Sequence, residues 1–208
     1  MSTEIVSDEQ VWAAVAAERR SLADLLDGLT EQQWDRQSWC DGWRIREVVA
    51  HILLTSRAGV GEILWELLRA RGNLDRMSFA TAVRAANNRS SEALVAELRA
   101  VAELRHTPVG TTALDRLMDL LVHGQDIAVP LGIRREMPVD AARWSVERVW
   151  RMGRPFRARQ VLAGQRLIAT DTEWSAGAGA PVSAPIAELL LLVTGRTAVD
   201  SVGRPASA

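Results

Sequence analysis

Three polar side chains lie along one predicted helix, between Leu114 and Gly132. Each of them can bind a metal ion or hold another metal ligand in place. Asp119 and His123 are four residues apart, so on a helix they lie one turn apart on the same face, and Asp126 follows three residues later. Apolar residues recur between them at spacings of three and four, which predicts an amphipathic helix with the polar stripe beside its buried face. A carboxylate and an imidazole at this spacing are typical of a metal site.

A second imidazole, His51, lies one turn after Glu47 in another apolar helical pattern. The chain has three histidines, and the remaining one, His106, begins a predicted loop. On its own, a histidine beside an apolar stripe is more often structural than a metal ligand. Taken together with Asp119 and His123, it becomes a candidate ligand.

The composition is that of an ordinary globular protein. The chain has 208 residues, of which 48% are hydrophobic and 25% charged, and its formal charge of -1 gives no reason to expect nucleic acid or an anionic membrane as a partner. No apolar run approaches the roughly 20 residues that span a bilayer, and the acidic N-terminus does not resemble a signal peptide. We therefore expect a cytoplasmic protein.

The usage of basic and aromatic residues indicates a GC-rich genome. Lysine and arginine together number 25, all of them arginine, and tyrosine is absent. Lysine and tyrosine codons are AT-rich, whereas most arginine codons are GC-rich. This pattern concerns the source of the chain and not its chemistry.

Four long amphipathic patterns predict a four-helix bundle, which we assign to residues 1–137. Bundles of this kind build metal sites from side chains on facing helices. The four predicted helices span residues 8–29, about 43–71, 78–104 and 114 to about 130–132.

The remaining residues predict a small α/β C-terminal domain over 138–200, followed by a disordered tail over 201–208, so the fold class is mainly α. A helix is expected over 140–152, and Pro185 fits the first turn of a last helix. Residues 166–174 alternate as in a strand, which places Ile168, Thr170, Thr172 and Trp174 on one face, and residues 175–180 form a turn.

Three motifs in this order resemble a known family, the mycothiol-dependent maleylpyruvate isomerases, a branch of the DinB-like metal-binding bundles. The first motif is Trp39-Cys-Asp-Gly-Trp-Arg-Ile-Arg-Glu-Val-Val-Ala-His51, and the second is Asp119-Leu-Leu-Val-His-Gly-Gln-Asp-Ile-Ala128. The third lies in the tail, in Leu167-Ile-Ala-Thr-Asp-Thr-Glu-Trp-Ser175, Pro185-Ile-Ala-Glu-Leu-Leu-Leu-Leu192 and Thr194-Gly-Arg196.

The resemblance implies a divalent metal, usually zinc, held by His51, Asp119 and His123. Family members often have glutamate where this chain has Asp119, and the shorter side chain requires the metal to lie closer to its own helix or to bind more weakly. The resemblance also implies mycothiol, the thiol of actinobacteria, as cofactor, which agrees with a GC-rich genome. The partners would then be this small thiol and a small electrophilic substrate.

The same chemistry suggests roles for other residues. Two neutral imidazoles and one carboxylate leave open positions on a zinc ion, where a thiol can bind as thiolate. Asp126 is predicted to orient His123 and Glu47 to orient His51, unless both are ordinary surface acids. Arg166 and Arg196 are candidates for binding the cofactor or a carboxylate substrate.

Cys40 precedes a predicted helix N-terminus, a position that favours a reactive thiol able to form a mixed disulfide. A partly buried structural cysteine is the alternative.

Three interpretations follow from the sequence. The first is a metal-dependent enzyme, an isomerase or S-transferase that uses mycothiol. The second is a non-catalytic metal-binding or stress-response protein of the same superfamily. The third is a bundle without metal, in which Asp119 and His123 form a helix ion pair worth only a few tenths of a kcal/mol.

Overall fold

The computed structural model describes residues 6–57 and 59–202, which fold into two compact units that divide after Arg135. The N-terminal unit is helical, and the C-terminal unit combines helices with a three-stranded sheet. The fold is therefore mainly α with a small α/β part, as the sequence predicts. Among the described helices, none has both the length and the apolar character that crossing a bilayer requires.

The described part of the N-terminal unit contains seven helices around one apolar core. Helix α1 packs against α6 and α7, while α3 packs against α5, α6 and α7, which gives the bundle its central contacts. The core side chains come mainly from α1, α3, α6 and α7 and include Leu22, Ile52, Leu98 and Leu121. The helices are α1 (Asp8–Asp27), α2 (Glu31–Trp34), α3 (Ile45–Arg57), α4 (Val60–Arg69), α5 (Leu74–Asn87), α6 (Ser91–Ala100) and α7 (Ala113–Ala128).

The predicted second and third helices are each broken in two. Gly59 has extended backbone angles and is the N-cap of α4, so it interrupts the predicted second helix. Asn88 ends α5, and Ser90 begins α6 by accepting a hydrogen bond from the backbone N–H of Ala93. Residues that cap helices thus override a continuous apolar pattern. Leu68, part of the apolar pattern, is 74% exposed on α4.

Helix α7 carries the polar stripe and has well-defined ends. Thr112 caps its start, and Asp115 completes a capping box with the backbone N–H of Thr112. A short 3-10 turn (Val129–Leu131) follows the helix, and Gly132 adopts a left-handed conformation with φ of 68°. The helix is buried along most of its length, so its polar residues lie inside the unit.

The C-terminal unit places a short sheet beside two longer helices, α8 and α10, which pack on each other. In the sheet, β1 lies in the centre, antiparallel to β2 and parallel to β3. Residues 199–201 form a 3-10 turn, and residues 203–208 of the predicted tail lie outside the described residues. The elements are α8 (Val139–Arg151), α9 (Ala158–Val161), β1 (Gln165–Ala169), β2 (Ser175–Gly177), β3 (Ala180–Ala184) and α10 (Ile186–Val193).

The predicted strand over 166–174 is too long. Leu167 is the fully buried residue of β1, and the strand ends at Ala169. Asp171 leaves the strand because its carboxylate accepts a hydrogen bond from the backbone N–H of Ile186, 2.8 Å away, at the start of α10. Trp174 donates its indole N–H to Glu147 on α8 at 2.8 Å. Residues 175–177, predicted as a turn, form β2 instead.

Candidate metal site

The direct packing of α3 on α7 brings His51, Asp119 and His123 together. Asp119 Oδ1 lies 3.4 Å from His123 Nε2, on its own helix, and 3.9 Å from His51 Nε2. One nitrogen or oxygen atom from each of the three residues lies within 4.8 Å of the other two. The two imidazole rings meet edge to face, with their centroids 5.2 Å apart.

This geometry fits a small divalent cation. Zinc bonds to nitrogen and oxygen are about 2.0–2.2 Å long, so two ligand atoms of a tetrahedral zinc lie roughly 3.3 Å apart. The observed 3.4 and 3.9 Å are close to that spacing, and two imidazoles with one carboxylate form a typical zinc donor set. The three side chains are 13–17% exposed, so a cation would be shielded from bulk water yet accessible.

Asp126 contacts His123, the residue that it was predicted to orient. Its carboxylate Oδ2 lies 2.8 Å from His123 Nδ1, and its side chain is completely buried. A carboxylate at this position keeps a proton on Nδ1 and directs Nε2 towards Asp119 and His51. The contact is the one that an orienting carboxylate would make with a metal-binding imidazole.

Glu47 does not occupy the place suggested for it beside His51. Its carboxylate accepts hydrogen bonds from the backbone N–H and the guanidinium of Arg44, at 2.6–2.9 Å, and so caps the start of α3. Ser78 on α5 instead lies beside His51, with its hydroxyl 3.1 Å from Nδ1. The edge of the Trp43 ring also contacts the imidazole, at a centroid distance of 5.3 Å.

Cys40 lies beside Asp126 in the loop that precedes α3. Its Sγ is 3.0 Å from Asp126 Oδ2 and 3.8 Å from His123 Nδ1. The backbone N–H of Trp39 also donates to the Asp126 carbonyl, at 2.8 Å. Although Cys40, His123 and Asp126 are all potential metal ligands, contacts of 2.8–3.0 Å are hydrogen-bond lengths, shorter than the spacing around a shared cation. We interpret this cluster as support for His123.

The ionisation of the three candidate ligands is strongly perturbed in the absence of a cation. Burial lowers the pKa of His51 to about 4, helped by the charges of His123 and Arg116 and opposed by Asp119, so the ring is neutral at pH 7. Burial would raise the pKa of Asp119, but His123, Arg116 and His51 outweigh it and hold that pKa far below its usual range.

Burial would likewise lower the pKa of His123. Asp119, Asp126 and Cys40 outweigh that effect and raise the pKa well above its usual value. Without metal, His123 therefore holds a proton between two carboxylates, in the place that a cation would take at Nε2.

A pocket of about 270 Å³ lies beside His51. Most of its wall is apolar, from side chains such as Leu54, Met77 and Val109, and Ser78 also contributes to it. Arg116, one turn before Asp119 on α7, supplies a cation to the wall and donates from Nη1 to Asp119 Oδ2 at 3.4 Å. A small molecule in this pocket would therefore be adjacent to the candidate metal site.

Arg166 and Arg196, the candidate binding arginines, lie in the C-terminal unit. Arg166 is exposed on β1, opposite Gly177 and Pro181 of the neighbouring strands. Arg196 is half-buried and donates from Nη1 to the carbonyl of Thr194 at 3.1 Å. Their role in binding stays a prediction.

Three residues near the candidate ligands were missed by the sequence reasoning, namely Ser78, Trp43 and Arg116. Arg116 had a detectable signal, because a cation three residues before Asp119 on a helix lies on the same face. Trp43 lies within the first family-like motif. Ser78 had no signal, because its contact with His51 depends on how α5 packs on α3.

Comparison with known proteins identifies one sequence family and two related structures. The family described as the mycothiol maleylpyruvate isomerase N-terminal domain matches residues 15–112, which include His51 and end before Asp119 and His123. No curated protein sequence matches the chain.

The related structures are crystal structures of the mycothiol-dependent maleylpyruvate isomerase. A histidine-to-alanine mutant of that enzyme is 14% identical to this chain with a TM-score of 0.61, and a second structure is 13% identical with a TM-score of 0.51. Each comparison covers 95% of this chain and 92% of the other chain. The likeness at these identities shows a shared fold over both units.

Proposed function

Because residues 15–112 match the mycothiol maleylpyruvate isomerase N-terminal domain family, we propose that this protein is a metal-dependent enzyme that uses mycothiol as its thiol cofactor. Its reaction is of the isomerase or S-transferase type and acts on a small electrophile. The metal is a divalent cation, with zinc as the first candidate, and its ligands are His51, Asp119 and His123.

The observation that carries this proposal is the meeting of three ligand atoms from two helices within 4.8 Å. Asp119 and His123 are neighbours on α7, so their proximity needs no special explanation. His51 comes from α3, and its Nε2 points to the same carboxylate oxygen, 3.9 Å away. An imidazole that served only to pack the helices would have no need to direct its nitrogen there.

The residues around the site prepare it for this chemistry. A divalent cation, when bound, lowers the pKa of a ligating thiol and so supplies a thiolate near neutral pH. Asp126 holds the proton on His123 Nδ1, and Ser78 contacts His51 Nδ1, so both Nε2 atoms are available as ligands. The low pKa of His51 keeps its ring neutral and therefore able to ligate at pH 7.

The pocket beside His51 gives a small electrophile a place next to the site. Its mainly apolar wall lowers the local polarity, which strengthens electrostatic interactions between the site and a bound electrophile. Isomerases return the thiol unchanged, whereas S-transferases leave it joined to the product. The two reaction types are therefore distinguished by whether thiol is consumed.

The proposal is tested by thiol binding to the metal-loaded protein. Protein loaded with Co²⁺ as a spectroscopic substitute for Zn²⁺ is titrated with mycothiol, and a thiolate-to-cobalt absorption band is expected in the parent. His123→Ala should lose the band, and His106→Ala is the matched control because this histidine is not among the candidate ligands. Mycothiol should then accelerate the loss of a small unsaturated keto acid only in the parent and the control.

Two other results would contradict the proposal that this protein is an enzyme. Metal loading without any thiol band would favour the non-catalytic metal-binding protein. Failure to load any metal would leave a structural bundle in which Asp119 and His123 form an ion pair.

A further inference from the structure

Arg116 is a buried cation with few hydrogen-bond partners. The residue is 8% exposed, and its side chain lies against both the candidate metal site and the pocket beside His51. Within the described residues, its one hydrogen-bond partner is Asp119, which accepts from Nη1 at 3.4 Å. The Nε atom is buried there without any partner.

The other buried arginines of the unit are better satisfied. Arg19 also has an unpaired Nε, but its Nη atoms donate to the carbonyls of Val101 and Leu104 and to Ser56 at 2.8–3.0 Å. Arg135 donates to Glu18 and Ser21 at 2.7 and 2.9 Å. An unsatisfied buried donor destabilises the folded chain, and it does so more strongly when the group is charged. The incomplete bonding of Arg116 therefore calls for a partner outside the chain.

The residues of the pocket around Arg116 favour the binding of a negatively charged ligand. Its wall is mainly apolar, which strengthens the attraction of a guanidinium for a negative group. The one acidic residue of the wall, Glu66, accepts a hydrogen bond from Arg84 at 2.6 Å and is thus already paired. The hydroxyls of Ser78, Thr81 and Thr111 add possible hydrogen bonds to a polar ligand.

We propose that Arg116 binds a carboxylate or similar anionic group of a small ligand in the pocket beside His51, and so selects anionic over neutral ligands. A guanidinium can hold a carboxylate through two parallel hydrogen bonds, for which Arg116 has unused donors. A volume of about 270 Å³ limits the ligand to a few carbon atoms beyond that group. Anion binding by Arg116 does not depend on the proposed function. Only the identification of this ligand as the electrophilic substrate rests on it.

The test compares a small dianion with its neutral analogue by calorimetry. Succinate and succinamide are titrated into the full-length protein, first free of metal and then loaded with zinc. The metal-free series isolates Arg116, because a carboxylate can also bind zinc directly. We expect the metal-free parent to bind succinate at least tenfold more tightly than succinamide.

Substitutions at Arg116 should remove this preference. Arg116→Met should weaken succinate binding at least tenfold and leave succinamide binding unchanged. Arg116→Lys, which keeps the charge but not the planar fork, should show an intermediate loss and replaces the methionine variant if that one does not fold. Arg57→Met is the matched control, because Arg57 lies half-exposed on the neighbouring helix α3 beside Glu97.

Two results would overturn the proposal: equal affinity of the metal-free parent for the two compounds, or unchanged succinate affinity in Arg116→Met. Succinate binding that appears only with zinc and survives Arg116→Met would assign the carboxylate to the metal; it would contradict this proposal and leave the proposed function intact. Succinate binding that depends on Arg116, in a protein that takes up no zinc, would support this proposal and contradict the proposed function.

Discussion

Asp126 is the residue that most directly links the fold to the proposed chemistry. Its buried carboxylate contacts His123 Nδ1, and in the proposed site this contact would determine which nitrogen faces the metal. We expect Asp126→Asn, which keeps the shape but loses the charge, to weaken zinc binding roughly 10- to 100-fold. Zinc affinity is measured by competition with a chromogenic chelator. The control is Asp24→Asn, at an exposed position beside Arg99, which should bind zinc like the parent. Equal zinc affinity in the two variants would show that Asp126 does not support the metal site.

Cys40 should act through Asp126. Its thiol donates to the Asp126 carboxylate at 3.0 Å, and serine can make a similar bond whereas alanine cannot. We therefore expect Cys40→Ala to weaken zinc binding several-fold and Cys40→Ser to retain most of it, in the same chelator competition. If the serine variant loses as much affinity as the alanine variant, the sulfur has another role.

The stability of the metal-free protein should report on His51. Its pKa is about 4 in the folded chain and about 6.5 when unfolded, so between these values the unfolded state binds the extra proton. The contribution of His51 to the free energy of unfolding is complete above pH 6.5. It falls as the pH drops towards 4, by at most about 3 kcal/mol. The measurement is urea unfolding of the parent and His51→Gln from pH 4.5 to 7.5.

The free-energy difference between parent and variant should shrink at low pH. A constant difference across this range would show that His51 has a normal pKa in the folded chain.

At the scale of elements, a glycine on α7 leaves room for the Arg135 side chain, which pairs with a residue of α1. A Cβ at Gly124 would lie 2.8 Å from Arg135 Nε and 3.3 Å from its Cδ. Arg135 passes over this position to reach Glu18 on α1, and both side chains are 7% exposed. The absence of a side chain beside His123 therefore permits a buried ion pair between α1 and the segment that follows α7.

Gly124→Ala should destabilise the protein. Alanine favours a helix by about 1 kcal/mol over glycine, but displacing Arg135 leaves Glu18 buried without its partner, a loss of about 3–5 kcal/mol. We expect a net loss of about 2 kcal/mol or more in the free energy of unfolding, measured with urea. Gly61→Ala on α4 is the control, because a Cβ there meets nothing within 4 Å. Equal stabilisation by both alanines would contradict the role of Gly124.

The helices could be predicted from the sequence where apolar periodicity persists, but their breaks could not. A pattern of threes and fours shows which face is buried, and it continues through Gly59 and through Asn88 to Ser90. Whether such residues interrupt a helix depends on the packing of the segments that follow them. The strand prediction failed for a related reason, since Asp171 caps α10 instead of extending β1.

The candidate site could be predicted in part. Asp119 and His123 follow from helical spacing, and the contact of Asp126 follows from the same stripe. Their meeting with His51 depends on α3 packing on α7, a long-range contact that periodicity does not encode and that only the family-like motifs indicated. Ser78 could not be found in this way, because its neighbour in space is distant in sequence.

At the scale of the whole molecule, the chain shares a fold with the mycothiol-dependent maleylpyruvate isomerase structures at 13–14% identity. Each comparison covers 95% of the chain and so includes both compact units, whereas the family match covers only residues 15–112. Fold alone does not establish activity. The residues that gather at the candidate metal site must therefore carry the functional conclusion, and metal binding is its first requirement.

The most direct test is the zinc content of the whole protein, purified without a histidine tag, incubated with zinc and dialysed before elemental analysis. We predict about one zinc per chain in the parent and in His106→Ala, and none in the double variant His51→Ala, His123→Ala. A parent that retains no zinc, or a double variant that retains as much as the parent, would contradict a metal site formed by His51, Asp119 and His123.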